Sequence, residues 1–222
     1  MYISKATLKT GEEIFTFLKE IRNTHVYAAH QYIWRIFQEN PYAKRDFIFR
    51  LNSHRSEFII VSERRPIENP LFNLVTKDYK PKLHSGEKLG FILTANPVVS
   101  KKINDRKNSS RHDVWMDAKK KAKKEKLKPQ EIRKLCEERT KSWLISRAER
   151  AGFSLTRENV IVDGYIQHRF FKSNNSKNVR FSSVNFEGIL TVTDVERFTQ
   201  TLFKGIGPAK AFGCGLLLIR PV

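Results

Sequence analysis

A chain of 222 residues with 40% hydrophobic content and 16 phenylalanines can bury a sizeable core, which excludes a disordered polymer and allows one large domain or two small ones. The net charge of +19 calls for a polyanionic partner. Nucleic acid is the expected polyanion; a ribosome-associated or membrane-surface role is the bland alternative. Cys136 and Cys214 show no metal spacing and no disulfide framework. Met1 to Leu8 is too polar for a signal peptide, and no apolar run reaches membrane-spanning length, so a soluble cytoplasmic protein is expected.

Tyr2 to Leu8 alternates and predicts a first strand, ended by Gly11. Glu12 to Arg22 carries Ile14, Phe15, Phe17, Leu18 and Ile21 at helical spacing. A second helix is expected from about residue 26, with Ala29, Ile33, Trp34, Ile36 and Phe37 apolar and Asn40-Pro41 as its stop. Tyr27 and His30, three apart, share a face of it. Arg45 to Leu51 and Glu57 to Val61 predict strands, Leu71 to Val75 a short apolar piece, and Leu89 to Leu93 a strand closing at Asn96-Pro97. Residues 1–97 therefore suggest a first α/β unit of ferredoxin-like plan.

Composition then changes. Residues 101–150 hold 18 Lys+Arg against 8 Asp+Glu, over half of the net positive charge. Residues 98–128 are expected to be a basic linker or insert. Its densest run, Lys119 to Lys128, suits a solvated helix face or mobile loop, or a surface that tracks phosphates. Pro129 opens a helix to about Ala151, and Gly152 stops it. Val160 to Ile166 predicts a strand. His168 to Phe181 predicts an aromatic and basic hairpin in which Arg169, Lys172, Lys177 and Arg180 could meet RNA. Val184 to Val192 predicts a strand, and Asp194 caps a helix to Phe203. Residues 129–222 thus form a second unit.

Gly205 to Gly215 gathers four of the ten glycines around Lys210. Such a loop can cradle phosphates on backbone N–H groups with Lys210 as counter-charge, or simply turn the chain into the final strand, Leu216 to Ile219. It is not a Walker loop. The six histidines form no ligand pair, and no carboxylate cluster suits a two-metal nuclease, so no cofactor and no metal are expected. RNA carries its own nucleophile, the 2′-hydroxyl. A protein can cut it by orienting that hydroxyl, protonating the 5′-oxygen and stabilising the phosphorane charge. Tyr27, His30 and Arg35, or a loop lysine, have the chemistry for these roles. A tyrosine and a histidine one turn apart also suit ordinary packing.

Three stretches carry a resemblance: residues 27–37 (Tyr-Ala-Ala-His-Gln-Tyr-Ile-Trp-Arg-Ile-Phe), residues 45–50 (Arg-Asp-Phe-Ile-Phe-Arg) and the Gly-rich terminus at 205–217. With Ala95-Asn-Pro97 and Phe186 to Val192, they make the chain similar to the CasE family, the repeat-processing endoribonucleases of type I-E CRISPR systems within the RAMP superfamily. The resemblance implies an α+β fold of two tandem ferredoxin-like (RRM-like) domains with antiparallel sheets. It implies metal-independent cleavage at the 3′ base of the CRISPR repeat stem-loop, with a 5′-hydroxyl and a cyclic or 3′-phosphate as products. It further implies retention of the mature crRNA and membership of the Cascade complex. His30 matches the family's catalytic histidine, and Tyr27 its companion tyrosine. Arg35 stands where some members have lysine. On this basis His30 is expected as general acid, Tyr27 to orient the 2′-hydroxyl, and Arg35 to give electrostatic support. Lys210, Gly205 and Gly207 are expected to hold phosphates, and Arg111, Arg169, Lys172, Lys177 and Arg180 to meet the stem. A non-catalytic RNA-binding subunit of the same fold is the alternative.

Overall fold

The computed structural model describes residues 1–9, 11, 15–17, 19, 26–37, 44–52, 57–102, 109–171 and 178–222. The first sheet has four strands in the order β2-β3-β1-β4: β1 is Tyr2–Leu8, β2 Phe47–Asn52, β3 Glu57–Ser62 and β4 Phe72–Asp78. Neighbours are antiparallel throughout. Helix α1, Val26–Arg35, crosses one face. Period-2 alternation sends Ala6, Leu8, Phe47, Phe49, Phe58 and Ile60 to that face, where Ile33, Ile36 and Phe37 bury against them. The residues between them, Ile48 and Val61, point the other way and bury against Leu216 of the C-terminal segment. Of the helix expected at Glu12 to Arg22, only 15–17 and 19 are described, and these are helical.

The second sheet has β5 (Lys88–Ala95) and β10 (Asn178–Val192) at its centre, flanked by β11 (Leu217–Pro221) and β9 (Val160–Phe171). A two-residue strand, β8 (Phe153–Ser154), extends the β9 side along the end of β10. The order β9-β10-β5-β11 repeats the plan of β2-β3-β1-β4, so each sheet is ferredoxin-like. Helices α3 (Pro129–Ala148) and α4 (Val195–Lys204) cover one face through Trp143, Leu144, Phe198 and Leu202. The start and stop signals of both helices hold: Asp194 Oδ1 accepts from Arg197 N at 3.0 Å, and Gly152 is left-handed at φ 81.

Two stretches lie elsewhere than expected. Lys88–Ala95, placed with residues 1–97 on the sequence, pairs with β10 and β11 in the second sheet. Its alternating Leu89 and Leu93 sit opposite Leu190 and Phe186, and that match completes the second core. The supposed linker at 98–128 is also built in. Val98–Lys102 (β6) and Ser109–Asp113 (β7) form a hairpin, and Val114–Lys124 (α2) packs Ala118 and Ala122 against the rest. The Lys119–Lys124 run is therefore the exposed face of a helix. The expected hairpin at 168–181 is the far end of the long β9–β10 ladder, whose tip, 172–177, lies outside the described residues. Among the described residues no helix is long and apolar enough to cross a membrane.

Gly188, in the middle of β10, has no room for a side chain: an added Cβ would lie 1.8 Å from the Asn159 carbonyl oxygen. Gly188→Ala is expected to destabilise by about 1–3 kcal/mol or more. Thermal melting should show a loss of roughly 2–4 °C per kcal/mol. Gly86→Ala, with nothing within 4 Å and only its φ of +84 to oppose it, should lose less.

Candidate active site and nucleic-acid interface

Helix α1 has two faces. Ala29, Ile33 and Ile36 bury into the first core. The opposite face presents Tyr27, His30, Gln31 and Trp34 to a cleft of about 560 Å³, with Arg35 and Arg45 at its sides and Ala211–Phe212 as its far wall. The half-buried His30 ring is boxed by aromatics, with centroids 5.9 Å from Trp34, 6.4 Å from Phe47 and 6.2 Å edge-on from Phe212. Tyr27 stacks on Phe170 of β9 at 5.5 Å. Arg35 lays its guanidinium 4.8 Å over the Tyr32 ring. The three expected catalytic residues are thus gathered in one cleft, whose other wall comes from the second unit.

That wall is the Gly-rich loop. Ile206 N donates to Gly215 O at 2.8 Å and closes the loop at its base; Gly215 N donates to Thr94 O at 2.7 Å and ties it to β5. Gly205 and Gly207 are the positions where this closure needs glycine. A Cβ on Gly205 would sit 2.6 Å from Gly215 O, and one on Gly207 3.1 Å from the Trp143 ring. The close approach these two glycines permit is therefore to protein. Ala209 is left-handed at φ 61, an uncommon conformation for a residue with a side chain, and leads into the single 3₁₀ turn Lys210–Phe212. Lys210 is half-buried, and burial, followed by the neighbouring positive charge of Arg45, holds its ammonium below the ordinary lysine value.

A second cleft, of about 610 Å³, adjoins the first. Arg111 of β7, Arg169 of β9 and Arg180 of β10 line it together with Pro208, Ala209 and Phe212. Arg169 and Arg180 are directly opposite each other in the β9–β10 ladder, a like-charge pair that concentrates positive charge at this cleft. None of Arg35, Arg45, Arg111, Arg169, Arg180 or Lys210 forms an ion pair with a carboxylate among the described residues. Asp113, also in this cleft, is otherwise engaged. It accepts from Met116 N at 2.9 Å, from the Tyr165 hydroxyl at 3.1 Å and from the Ser182 hydroxyl. Burial and then this carboxylate push the Tyr165 phenol well above its ordinary value. Lys172 and Lys177 lie outside the described residues.

The two clefts share Phe212, whose ring lies 5.2 Å from Phe170 and 5.3 Å from Phe181. Neither Phe212 nor Arg45 stands out from sequence chemistry, although both fall inside the stretches at 45–50 and 205–217 that carry the family resemblance. Among the described residues no three His, Cys, Asp or Glu side chains are grouped to hold a metal ion.

The chain is 28% identical over 202 residues to the CRISPR system Cascade subunit CasE of Escherichia coli K12, covering 89% of this chain and 92% of that one. It is 29% identical over 153 residues to the CRISPR-associated endoribonuclease Cse3 of Thermus thermophilus, covering 65% and 61%. Its fold superposes on the structure of Thermus thermophilus Cse3 bound to an RNA representing a pre-cleavage complex with a TM-score of 0.69, at 22% identity and 99% and 98% coverage. A family model described as CRISPR associated protein matches residues 1–221, and the chain belongs to that family.

Proposed function

We propose that this protein is an endoribonuclease that binds the CRISPR repeat stem-loop, cuts it at the 3′ base without a metal ion, and keeps the product RNA as a Cascade subunit. One observation carries the reading: the cleft that holds His30 and Tyr27 shares a wall, Phe212, with the cleft that holds Arg111, Arg169 and Arg180. A strand held by arginine in one can pass its next phosphodiester into the other. The likeness in sequence and fold to proteins named CasE and Cse3 supports the same reading.

The 2′-oxygen attacks the adjacent phosphorus and the P–O5′ bond breaks. Tyr27 orients the 2′-hydroxyl, whose proton leaves to solvent. His30 donates its proton to the departing O5′. The products are a 5′-hydroxyl and a 2′,3′-cyclic phosphate, which balances atoms and charge. The rings of Trp34, Phe47 and Phe212 fix the His30 imidazole and lower the local dielectric. Arg35 supports the phosphate from the rim. Arg111, Arg169 and Arg180 hold the stem by its backbone, and Lys210, carried by the loop that Gly205 and Gly207 allow to close on protein, meets the phosphate entering the cleft.

Cleavage of a type I-E repeat RNA should persist in excess EDTA; activity that vanishes and returns only with a divalent ion would remove this mechanism. His30→Ala should bind the hairpin within a few-fold of the parent and cleave it roughly 10²–10⁴ times more slowly under single-turnover conditions. A 5′-thio leaving group, which needs no proton, should restore part of the rate; a variant that cuts at the parent rate takes His30 out of the site.

Binding should weaken steeply with salt, as counterion release from phosphates requires. Replacing any one of Arg111, Arg169 or Arg180 by Gln should reduce the slope of log affinity against log salt by about 0.7–0.9 for each phosphate that is no longer neutralised. An unchanged slope in all three variants would place the RNA elsewhere.

A further inference from the structure

We propose that Arg45 and Lys210 together form a phosphodiester site, with one cation from each unit, and that Arg45 meets the charge that develops on the scissile phosphate. The proposal rests on the reading of the His30 cleft as an RNA-cleavage site. It places Arg45 on the scissile phosphate beside Arg35, the residue for which the family resemblance suggests electrostatic support.

The placement is the first ground. Arg45 precedes β2 and lines the cleft that holds His30 and Tyr27. Ala211, next to Lys210 in the 3₁₀ turn, lines it from the other side. The second ground is the fate of the neighbouring carboxylate. Asp46 would be the natural counter-ion for Arg45, but Arg64 takes both of its oxygens, with Nε 2.6 Å from Oδ2 and Nη2 2.9 Å from Oδ1. Arg64 is itself anchored through Nη1 on the Phe37 carbonyl at 3.2 Å. This bidentate fork, with the hydrogen bond from Arg64 as its main effect, holds the Asp46 carboxyl below its usual range. Two adjacent residues of opposite sign are thus separated in role: Asp46 is locked inward on Arg64, and Arg45 forms no ion pair with a carboxylate among the described residues.

Arg35 is placed differently. It ends α1 and spreads over the Tyr32 ring, which spends its planar face on an aromatic partner. Arg45 is exposed and Lys210 half-buried, and burial, followed by the positive charge of Arg45, holds Lys210 below its ordinary value. A single anion between them offsets that repulsion. The two side chains suit a phosphodiester in complementary ways. A guanidinium fork reaches two non-bridging oxygens, while an ammonium adds a point charge. Neither transfers a proton in the step, so the balance of the cleavage reaction is unchanged.

The test uses single-turnover cleavage of the hairpin RNA, its non-bridging phosphorothioate analogue, and affinity for a 2′-deoxy hairpin that cannot be cut. Arg45→Gln should slow cleavage by about 10²-fold, as removal of one oxyanion donor does, while binding of the 2′-deoxy hairpin changes only a few-fold. Arg45→Lys should recover part of the rate, because it keeps the charge and loses the fork. Sulfur substitution should slow the parent and add little to Arg45→Gln. Arg45→Gln with Lys210→Gln should cost less than the product of the single losses, since both act on one anion. Arg35→Gln should lose less than Arg45→Gln. If the parent and His30→Ala behave as an RNA-cleaving pair and Arg45→Gln cuts at the parent rate, the proposal falls and the enzyme reading stands. It falls equally if Arg45→Lys is as slow as Arg45→Gln and the full sulfur effect survives, which would make Arg45 structural. If the parent cuts no RNA, both readings fall together.

Discussion

Phe212 is the contact on which the site depends. It belongs to a loop whose base is closed by the Ile206–Gly215 hydrogen bond and pinned to β5 through Thr94. From there its ring reaches His30 on α1, Phe170 on β9 and Phe181 on β10. An aromatic ring buries a large area in one place and favours edge-on or offset contacts with its neighbours, so it fixes angles as well as distances. With Tyr27 stacked on Phe170, the helix that carries His30 is keyed to the long ladder of the other unit. Behind this contact, Ile48, Val61 and Leu216 close the junction between the units with aliphatic packing.

Around the aromatic key the positive charges crowd one another. Arg169 faces Arg180 across the ladder, and Arg45 presses on Lys210. Two carboxylates near them are held by other partners: Asp46 by Arg64, Asp113 by Ser182, Tyr165 and Met116 N. The glycines of the terminal loop serve this arrangement indirectly. They let backbone pack on backbone and on Trp143, which makes the loop rigid enough to hold Lys210 and Phe212 in place.

Much of the fold was legible in the residues. Alternation marked β1, β2, β3 and β10, helical spacing marked α1 and α3, and Asp194 and Gly152 punctuated the chain where capping chemistry requires. The pairing of His30 with Tyr27 followed from a spacing of three on one helix. The assignment of β5 to the first unit did not survive, because a strand's alternation states that one face is buried and says nothing about which sheet buries it. The basic stretch failed as a linker for a similar reason. Its lysines dominate the composition, while Ala118 and Ala122, the two small residues that dock the helix, carry almost no sequence signal.

Periodicities, caps, net charge and the residue types able to move a proton or hold a phosphate follow from the residues alone, because these are properties of single side chains and their near neighbours. Which cations share a cleft was settled in three dimensions. Arg111, Arg169 and Arg180 come from separate strands and line one cleft, while Arg45 and Ala211, far apart along the chain, line the other. Coulomb energy depends on distance in space and on burial, neither of which sequence separation encodes. Whether a given arginine is spent on a carboxylate, laid on a ring or left for a ligand is therefore settled by packing: Arg64 on Asp46, Arg35 on Tyr32, and Arg45 open to the cleft.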